Sequence, residues 1–378
     1  MEILVVEPFY TGSHKQWLNG LIQHTNFKYT SITLPGRHWK WRMQGAAIEL
    51  AQQFIAINKQ FDLIVVSDML NLPLFKTLAG KNILNTPVAV YFHENQLTYP
   101  WSKTDTDTKT KRDAAYQFIN YTSALVADKL WFNSNYHLNS FLNALPPFLN
   151  QFPDYNNTKT VETIKAKSKV LYLGLNLKRF DAQVALQQKR NELNKAALIV
   201  WNHRWEYDKN PDLFFNTLLT LKQNGVKFKL AVLGEQFKRS PKIFVEIPHL
   251  FKEELVQFGF CKDENEYIHY LQLADILPVT ALQDFFGISV VEAIYCNTIP
   301  LLPKRLAYVE HIPEKLHNAF FYDEDKAFAH QLQRMIFNVK ILRKQNVQQF
   351  VTQYNWDSMK VIYENEITNV IEQFTALQ

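Results

Sequence analysis

The chain has 378 residues, 47% of them hydrophobic and 20% charged, which is enough apolar material for two sizeable cores and argues against a disordered protein. Its 41 basic and 36 acidic residues give a formal charge of +5. This mild excess favours anionic ligands such as phosphates and excludes the strong field of a histone-like protein.

Targeting and redox signals are weak. The opening Met1-Glu2 lacks the basic residues of a signal peptide, and no apolar run reaches the about 18 residues that a membrane helix needs. Two cysteines are too few for a disulfide framework or a cysteine zinc site. We therefore expect a cytoplasmic protein without a membrane segment.

The first half alternates apolar, strand-like runs with helical patterns. The apolar runs lie at 3–6, 62–66, 86–92, 129–132 and 169–173. This alternation predicts an α/β domain with a parallel, doubly wound sheet, which we place at residues 1–180. The run 104–111 is too polar to pack, so we predict a mobile loop there.

The second half repeats the pattern after a polar connection at 183–195. Its apolar runs lie at 197–201, 228–233, 256–260, 273–280 and 298–303. We predict a second α/β domain over 196–356. The last segment, 357–378, is helical by pattern and could pack back onto the first domain.

The segment from Asp284 to Glu292 is the most informative motif. A strand-like run precedes it, Gly287 marks a turn that opens a helix, and Asn297 suits the left-handed end of that helix. The amides of Phe286 and Gly287 could donate to phosphate or sugar oxygens. Either carboxylate alone would be read as a helix cap or a surface residue, but the pair favours a ligand with two polar ends.

Two basic residues lie in the loop after the strand at 197–201. Arginine offers a bidentate fork and lysine a point charge, so Arg204 and Lys209 could both reach a diphosphate. The plain alternative is a pair of solvated surface cations. Together with the 284–292 motif, the loop predicts a clamp for a nucleotide sugar.

Polar clusters also follow strands in the first half. His93, Glu94, Asn95 and Gln96 directly follow an apolar run, at the sheet edge where ligands bind. A single histidine would more often be structural, but a run of four polar residues favours a ligand site. The turn 12–14, which contains Gly12 and His14, is a weaker example because one glycine is no fingerprint.

The block Trp39-Lys40-Trp41-Arg42 interleaves aromatic and basic side chains. Stacking planes combined with phosphate contacts are what looped RNA requires. An amphipathic surface segment with buried tryptophans explains the same pattern equally well.

Asp105 and Asp107 resemble the acidic pair with which other sugar-nucleotide enzymes hold a metal ion. They follow no clear strand and lie in the polar run, so we read them as loop residues. We expect no metal or other cofactor, with protein cations stabilising the leaving group.

These motifs resemble retaining glycosyltransferases of the GT-B fold, in glycosyltransferase family four. A narrower resemblance, to the tRNA-queuosine α-mannosyltransferases, is carried by the blocks 7–16, 39–42, 91–100, 132–134, 203–211 and 285–287. It implies two Rossmann-like domains whose parallel sheets face each other across a cleft. It also implies retaining, front-face transfer of mannose from GDP-mannose onto queuosine at the wobble position of a tRNA, namely tRNA-Asp.

The resemblance assigns roles to the candidate residues. In the donor domain, Arg204 and Lys209 would hold the diphosphate, Glu292 the ribose, and Asp284 with the amides of Phe286 and Gly287 the sugar. Family members usually have glutamate where this chain has Asp284, which is one methylene shorter.

The remaining assignments fall in the first half. Gly12 would lie beside the donor phosphates, and His93 near the anomeric carbon. The residues His14, Trp39, Arg42, Glu94 and Asn95 would contact the tRNA.

Two other functions stay open at this point. A glycosyltransferase acting on a saccharide or lipid would keep the second half unchanged and alter the first. A tRNA-binding protein without catalytic activity would have no need for the donor-binding residues.

Overall fold

The computed structural model describes residues 1–102, 105–110, 112–181, 196–236 and 240–376. They form two compact units: unit 1 comprises Met1–Asn176 with Tyr354–Gln378, and unit 2 comprises Leu177–Gln353. The predicted connection at 183–195 lies outside the described residues. Each unit is built on one six-stranded sheet.

The sheet of unit 1 is entirely parallel, with strand order β2-β1-β3-β4-β5-β6. Its strands are β1 (Glu2–Tyr10), β2 (Lys28–Pro35), β3 (Leu63–Ser67), β4 (Val88–Phe92), β5 (Lys129–Phe132) and β6 (Ser168–Val170). Its helices are α1 (Gly12–His24), α2 (Trp39–Ile57), α3 (Leu72–Ala79), α4 (Thr106–Lys109), α5 (Asp113–Val126), α6 (Asn135–Leu149) and α7 (Thr160–Ala166).

The strands of unit 1 differ in burial according to their position. Every residue of β3 and β4 is buried, because helices cover both faces of the central sheet. At the edge, β2 buries only Ile32, and its other residues are exposed or half-buried. The continuous apolar runs of the central strands therefore make most of the core.

The sheet of unit 2 is also parallel, with strand order β12-β11-β10-β7-β8-β9. Its strands are β7 (Ala197–Trp201), β8 (Phe228–Leu233), β9 (Leu255–Gly259), β10 (Ile276–Pro278), β11 (Ile299–Pro303) and β12 (Phe321–Tyr322). Its helices are α8 (Pro211–Gln223), α9 (Ile243–Leu250), α10 (Glu264–Leu273), α11 (Ile288–Tyr295), α12 (His317–Phe320), α13 (Asp325–Phe337) and α14 (Val339–Leu342). No helix in the described ranges combines the length and apolar character needed to cross a bilayer.

In each unit, the direction in which the chain adds strands to the sheet reverses at one pair of neighbouring strands. In unit 1 the chain moves outward from β1 to β2 and then returns to β3, and in unit 2 it moves from β7 to β8 and β9 before returning to β10. Open α/β sheets bind ligands beyond the carboxyl ends of their strands at such switch points. The edges next to β1 and β3, and next to β7 and β10, are therefore the places to look for sites.

The C-terminal helix α15 (Trp356–Thr375) packs onto unit 1. Trp356 is 2% exposed, and its indole lies so close to Gly20 and Gly174 that neither position has room for a side chain. Further along α15, the Tyr363 hydroxyl accepts a hydrogen bond of 3.0 Å from the indole N–H of Trp17. The helix is thus part of the core of unit 1.

The prediction of a mobile loop at 104–111 is wrong for the part that is described. Asp105 caps the short helix α4, and Lys40 forms ion pairs of 2.7 Å with Asp105 and 2.6 Å with Asp107. The rings of Trp39 and Trp101 lie 5.7 and 5.2 Å from the Lys40 ammonium. The acidic residues are ordered because a lysine from a distant helix neutralises them.

We expect Gly20→Ala to lower the free energy of unfolding by about 3 kcal/mol, because an alanine Cβ would lie 2.1 Å from the Trp356 indole nitrogen. The exposed Gln23 on the same helix supplies the control, since Gln23→Ala should change stability by less than about 0.5 kcal/mol. Urea denaturation measures both. Equal stability of the two variants would contradict the packing described for α15.

Candidate functional site

The loops that follow β7 and β10 form a polar cluster at the switch point of unit 2. The loop after β7 carries His203, Arg204 and Lys209, and the loop after β10 carries Asp284 and leads into α11. Because β7 and β10 are parallel neighbours, both loops leave the sheet at the same edge. The structure therefore brings together residues that are about 80 positions apart.

Lys209 is the buried cation of this cluster. Its ammonium donates to the Gln283 carbonyl at 2.8 Å and lies 3.0 Å from a carboxylate oxygen of Asp208 and 3.5 Å from one of Asp284. Burial disfavours the charged amine, but the two carboxylates outweigh this effect and raise the pKa of Lys209. The lysine is therefore charged and fixed in place.

Asp284 is held from two sides. Its Oδ2 accepts a hydrogen bond of 2.9 Å from the Tyr308 hydroxyl and faces Lys209. Burial alone would raise the pKa of this carboxyl, but Lys209 and the other partners lower it. A charged carboxylate thus stands at the start of the turn before α11.

The turn itself depends on Gly287. This residue has φ 87°, in the left-handed region, and a Cβ there would lie 2.8 Å from the Tyr308 ring. The preceding carbonyl, that of Phe286, accepts a hydrogen bond of 2.6 Å from His311 Nε2. Helix α11 begins directly afterwards, at Ile288, as the sequence predicted.

Glu292 lies within α11 and already has protein partners. Its two carboxylate oxygens contact Arg179 at 2.5 Å and the Tyr267 hydroxyl at 2.8 Å. Burial raises its pKa, although Arg179 and Tyr267 oppose the shift. Arg179 also pairs with Glu264 at 2.6 Å, so the guanidinium is fixed between two carboxylates.

The other residues of the loop after β7 differ in exposure. Arg204 is exposed and lies 3.2 Å from Glu206, and it is close enough to Lys209 and Asp284 to influence their pKa values. His203 is buried, with Nδ1 3.0 Å from the Ser289 hydroxyl. Burial lowers the pKa of His203 to about 4, so its ring is neutral at pH 7.

In unit 1, a second polar cluster lies at the switch point between β1 and β3. Glu7 in β1 is fully buried, and its Oε2 lies 3.0 Å from Nδ1 of His14 in α1. The His14 ring is 4.1 Å from the ring of His93, which follows β4. Burial disfavours a charged His14, but the Glu7 carboxylate outweighs this and raises the pKa of His14 to about 9.

His93 is the least satisfied residue of this cluster. Its backbone N–H donates to Asp68 at 2.8 Å, but both ring nitrogens are buried and lack a hydrogen-bond partner. Burial, reinforced by the charge on His14, lowers the pKa of His93 well below its ordinary value. The Asp68 carboxyl is also buried, and its pKa is raised to about 8 by burial, while His14 pulls it downward.

The neighbours of His93 have structural contacts. Asn95 is fully buried, and its side-chain oxygen accepts from the backbone N–H of Thr98 at 3.0 Å. Glu94 is half-buried and accepts from the Gln96 side chain at 3.0 Å. Gly12 is the first residue of α1, has φ 50° and leaves open space where a Cβ would lie.

The aromatic and basic block at 39–42 divides between core and surface. Trp39 packs against Tyr116, with ring centres 5.2 Å apart, while Trp41 is 61% exposed. Arg42 is half-buried and donates to the Pro35 carbonyl at 3.2 Å. The block therefore contributes Trp39 to the packing of unit 1 and leaves Trp41 as its accessible tryptophan.

Sequence reasoning missed several residues at these two switch points. Arg179, Tyr267 and Tyr308 contact the predicted carboxylates, and Glu7 and Asp68 complete the cluster around His93. A charged residue within an apolar strand was a signal for Glu7. Arg179 had no such signal, because 113 positions separate it from Glu292.

Comparisons with known proteins agree over both halves of the chain. Residues 2–175 match the family described as "tRNA-queuosine alpha-mannosyltransferase N-terminal", and residues 183–349 match "Glycosyl transferases group 1". A tRNA-queuosine alpha-mannosyltransferase of Drosophila melanogaster is 35% identical over 359 residues, which cover 94% of this chain and 92% of the relative.

Solved structures with low sequence identity share the fold. HepE of Anabaena in complex with UDP has a TM-score of 0.68 at 14% identity and covers 98% of this chain and 100% of its own. Sucrose-phosphate synthase of Thermosynechococcus elongatus has a TM-score of 0.70 at 13% identity and covers both chains fully. The predicted GT-B fold is confirmed, and the chain belongs to the tRNA-queuosine α-mannosyltransferase family of glycosyltransferases.

Proposed function

We propose that this protein transfers mannose from GDP-mannose onto queuosine at the wobble position of a tRNA, namely tRNA-Asp, with retention of the anomeric configuration. The observation that carries this proposal is the 35% identity to a tRNA-queuosine alpha-mannosyltransferase over nearly the full length of both chains. The family match of residues 2–175 supports the acceptor, because that half would differ in a transferase for saccharides or lipids.

The donor binds at the switch point of unit 2. When the sugar departs, negative charge develops on the diphosphate and must be stabilised. Lys209 is charged and fixed beside Asp284, and Arg204 is exposed on the same loop. These two cations hold the diphosphate without a metal ion.

The two carboxylates of the motif bind the two ends of the donor. Asp284, oriented by Tyr308 and Lys209, accepts hydrogen bonds from the sugar hydroxyls together with the turn at Phe286 and Gly287. Glu292, oriented by Arg179 and Tyr267, accepts from the ribose hydroxyls. Fixed acceptors of this kind lose little entropy when the ligand binds.

The reaction proceeds on one face of the sugar. A front-face mechanism needs no protein nucleophile, because the departing phosphate accepts the proton of the attacking hydroxyl. His93 serves this step by polarising the acceptor or by stabilising the oxocarbenium-like state. Gly12 leaves room at the start of α1 for a phosphate to approach.

The acceptor tRNA binds unit 1. We place the tRNA at the region around the predicted residues His14, Trp39, Arg42, Glu94 and Asn95, of which His14 and Asn95 are buried, and add the exposed Trp41 as a stacking platform. A buried residue such as Asn95 shapes the region by holding its loop. An exposed tryptophan beside basic side chains suits an unstacked anticodon base.

The direct experiment incubates the protein with queuosine-bearing tRNA and a panel of nucleotide sugars, followed by mass spectrometry of the nucleosides. We expect hexose addition to queuosine with GDP-mannose, and none with tRNA that lacks queuosine. Transfer of a hexose to a lipid or saccharide, with no hexose added to any tRNA, would refute the proposed acceptor. Binding of tRNA with neither binding of GDP-mannose nor any transfer would instead support a tRNA-binding protein.

Arg204→Ala should weaken GDP-mannose binding about 10- to 100-fold, because a charge-assisted hydrogen bond contributes about 1.5–3 kcal/mol. Its exposure means that folding should be unaffected. Calorimetric titration measures the affinity, with Arg334→Ala, an exposed arginine of the same unit, as the matched control. Unchanged affinity in Arg204→Ala would exclude a diphosphate contact.

Glu292→Gln should remove discrimination between GDP-mannose and its 2′,3′-dideoxy analogue, because the carboxylate is the proposed partner of the ribose hydroxyls. We expect the unmodified protein to prefer GDP-mannose by about 10-fold or more in kcat/KM. Glu246→Gln, at an exposed position of unit 2, should keep this preference. Full discrimination in Glu292→Gln would place the ribose elsewhere.

A further inference from the structure

The cluster around His93 combines side chains from four elements of unit 1. Glu7 comes from β1, His14 from the first turn of α1, Asp68 from the end of β3 and His93 from the end of β4. All four are buried, with exposures between 0% and 7%. The cluster lies at the β1/β3 switch point, where doubly wound sheets bind ligands.

Three of these residues offer ligand atoms at short mutual distances. Each of Glu7, His14 and His93 offers one ligand atom, and these three atoms all lie within 4.8 Å of one another. The shortest of these separations, between Glu7 Oε2 and His14 Nδ1, is 3.0 Å. Two ligands bound to one tetrahedral zinc ion lie about 3.3–3.6 Å apart, given metal–ligand bonds of about 2.0–2.2 Å.

His93 supplies an independent reason to expect a ligand here. Both of its ring nitrogens are buried without a hydrogen-bond partner, which is costly for a polar group in a protein interior. The ring lies against the ring of His14, so its nitrogens belong to the same small space as the Glu7 carboxylate. A bound ion would give one nitrogen the partner that the protein does not provide.

The charges in the cluster also favour a cation. Glu7 accepts hydrogen bonds from the Phe9 N–H at 2.7 Å and the Ser67 hydroxyl at 3.0 Å, and its cationic partner is His14. Asp68 adds a second buried carboxyl, bound to the backbone of His93. The cluster thus combines carboxyl oxygens and imidazole nitrogens, the donor types that divalent transition-metal ions bind.

We propose that Glu7, His14 and His93 bind one divalent first-row transition-metal ion. Two imidazoles and one carboxylate are the ligand set of many zinc sites and of non-haem iron sites. On binding, the ion replaces the proton shared by His14 and Glu7, and one proton leaves to solvent. Asp68, through the His93 backbone, holds a ligand in place from outside the coordination sphere.

The site lies within unit 1, whereas the proposed donor-binding cations belong to unit 2. A metal ion here would depart from our expectation of a protein without a metal. Three protein ligands leave a tetrahedral ion one open position, which suits water or a hydroxyl group. If the proposed transferase function also holds, this site lies in the unit that binds the acceptor tRNA. The metal site itself does not depend on that function.

The test measures metal content and metal binding of the full chain, without reference to transfer activity. We expect mass spectrometric elemental analysis to find about one zinc or other first-row ion per purified chain. After removal by a chelator, Zn²⁺ should rebind with about one equivalent, and Co²⁺ should give the visible absorption of a protein-bound ion. His14→Asn and His93→Asn should each weaken Zn²⁺ binding by about 100-fold.

The matched control is His330→Asn, at an exposed position of unit 2, which should bind Zn²⁺ like the unmodified chain. Circular dichroism establishes that each variant is folded, and a folded His93→Asn alone is sufficient for the test. Absence of metal in the purified chain, together with no Zn²⁺, Mn²⁺ or Co²⁺ binding that the two cluster variants remove, would overturn the proposal. The space would then be left to water.

Discussion

All the strands in each sheet run parallel, and the sites depend on this constraint. Parallel strands place their carboxyl ends at one edge, so residues that are distant in sequence meet there, first around β1 and β3 and again around β7 and β10. The buried strands cannot carry the polar chemistry themselves. The loops that follow these strands carry the polar residues, and the rigid sheet fixes the distances between the loops.

Burial gives the clusters their electrostatic character. In unit 2 it is opposed by closely placed opposite charges, so Lys209 and Asp284 both remain ionised. In unit 1 the same balance charges His14 beside Glu7 but leaves His93 neutral. Neighbouring groups of the same chemical type therefore differ in charge because of what each one contacts.

The sequence predicted those features that follow from local pattern. The runs that became β3, β4 and β7 are apolar throughout because both faces are covered, and Gly287 marked its turn because a side chain there would meet Tyr308. The edge strand β2 escaped prediction because only one of its eight residues is buried.

Contacts between distant segments could not be predicted in the same way. Lys40 orders Asp105 from 65 positions away, and Arg179 fixes Glu292 from 113 positions away. No local pattern encodes such pairs, since each arises only when the sheet brings its loops together. The predicted site residues were therefore identified without the partners that orient them.

If a nucleotide sugar binds at this loop as proposed, the charge balance around Lys209 calls for a second cation such as Arg204. Lys209 already pairs with Asp208 and Asp284. A diphosphate would add further negative charge, which Lys209 alone cannot offset. His203 is neutral and cannot help. Arg204 is exposed and pairs with Glu206 at the surface, where water screens the contact, so a phosphate would compete with a weak ion pair.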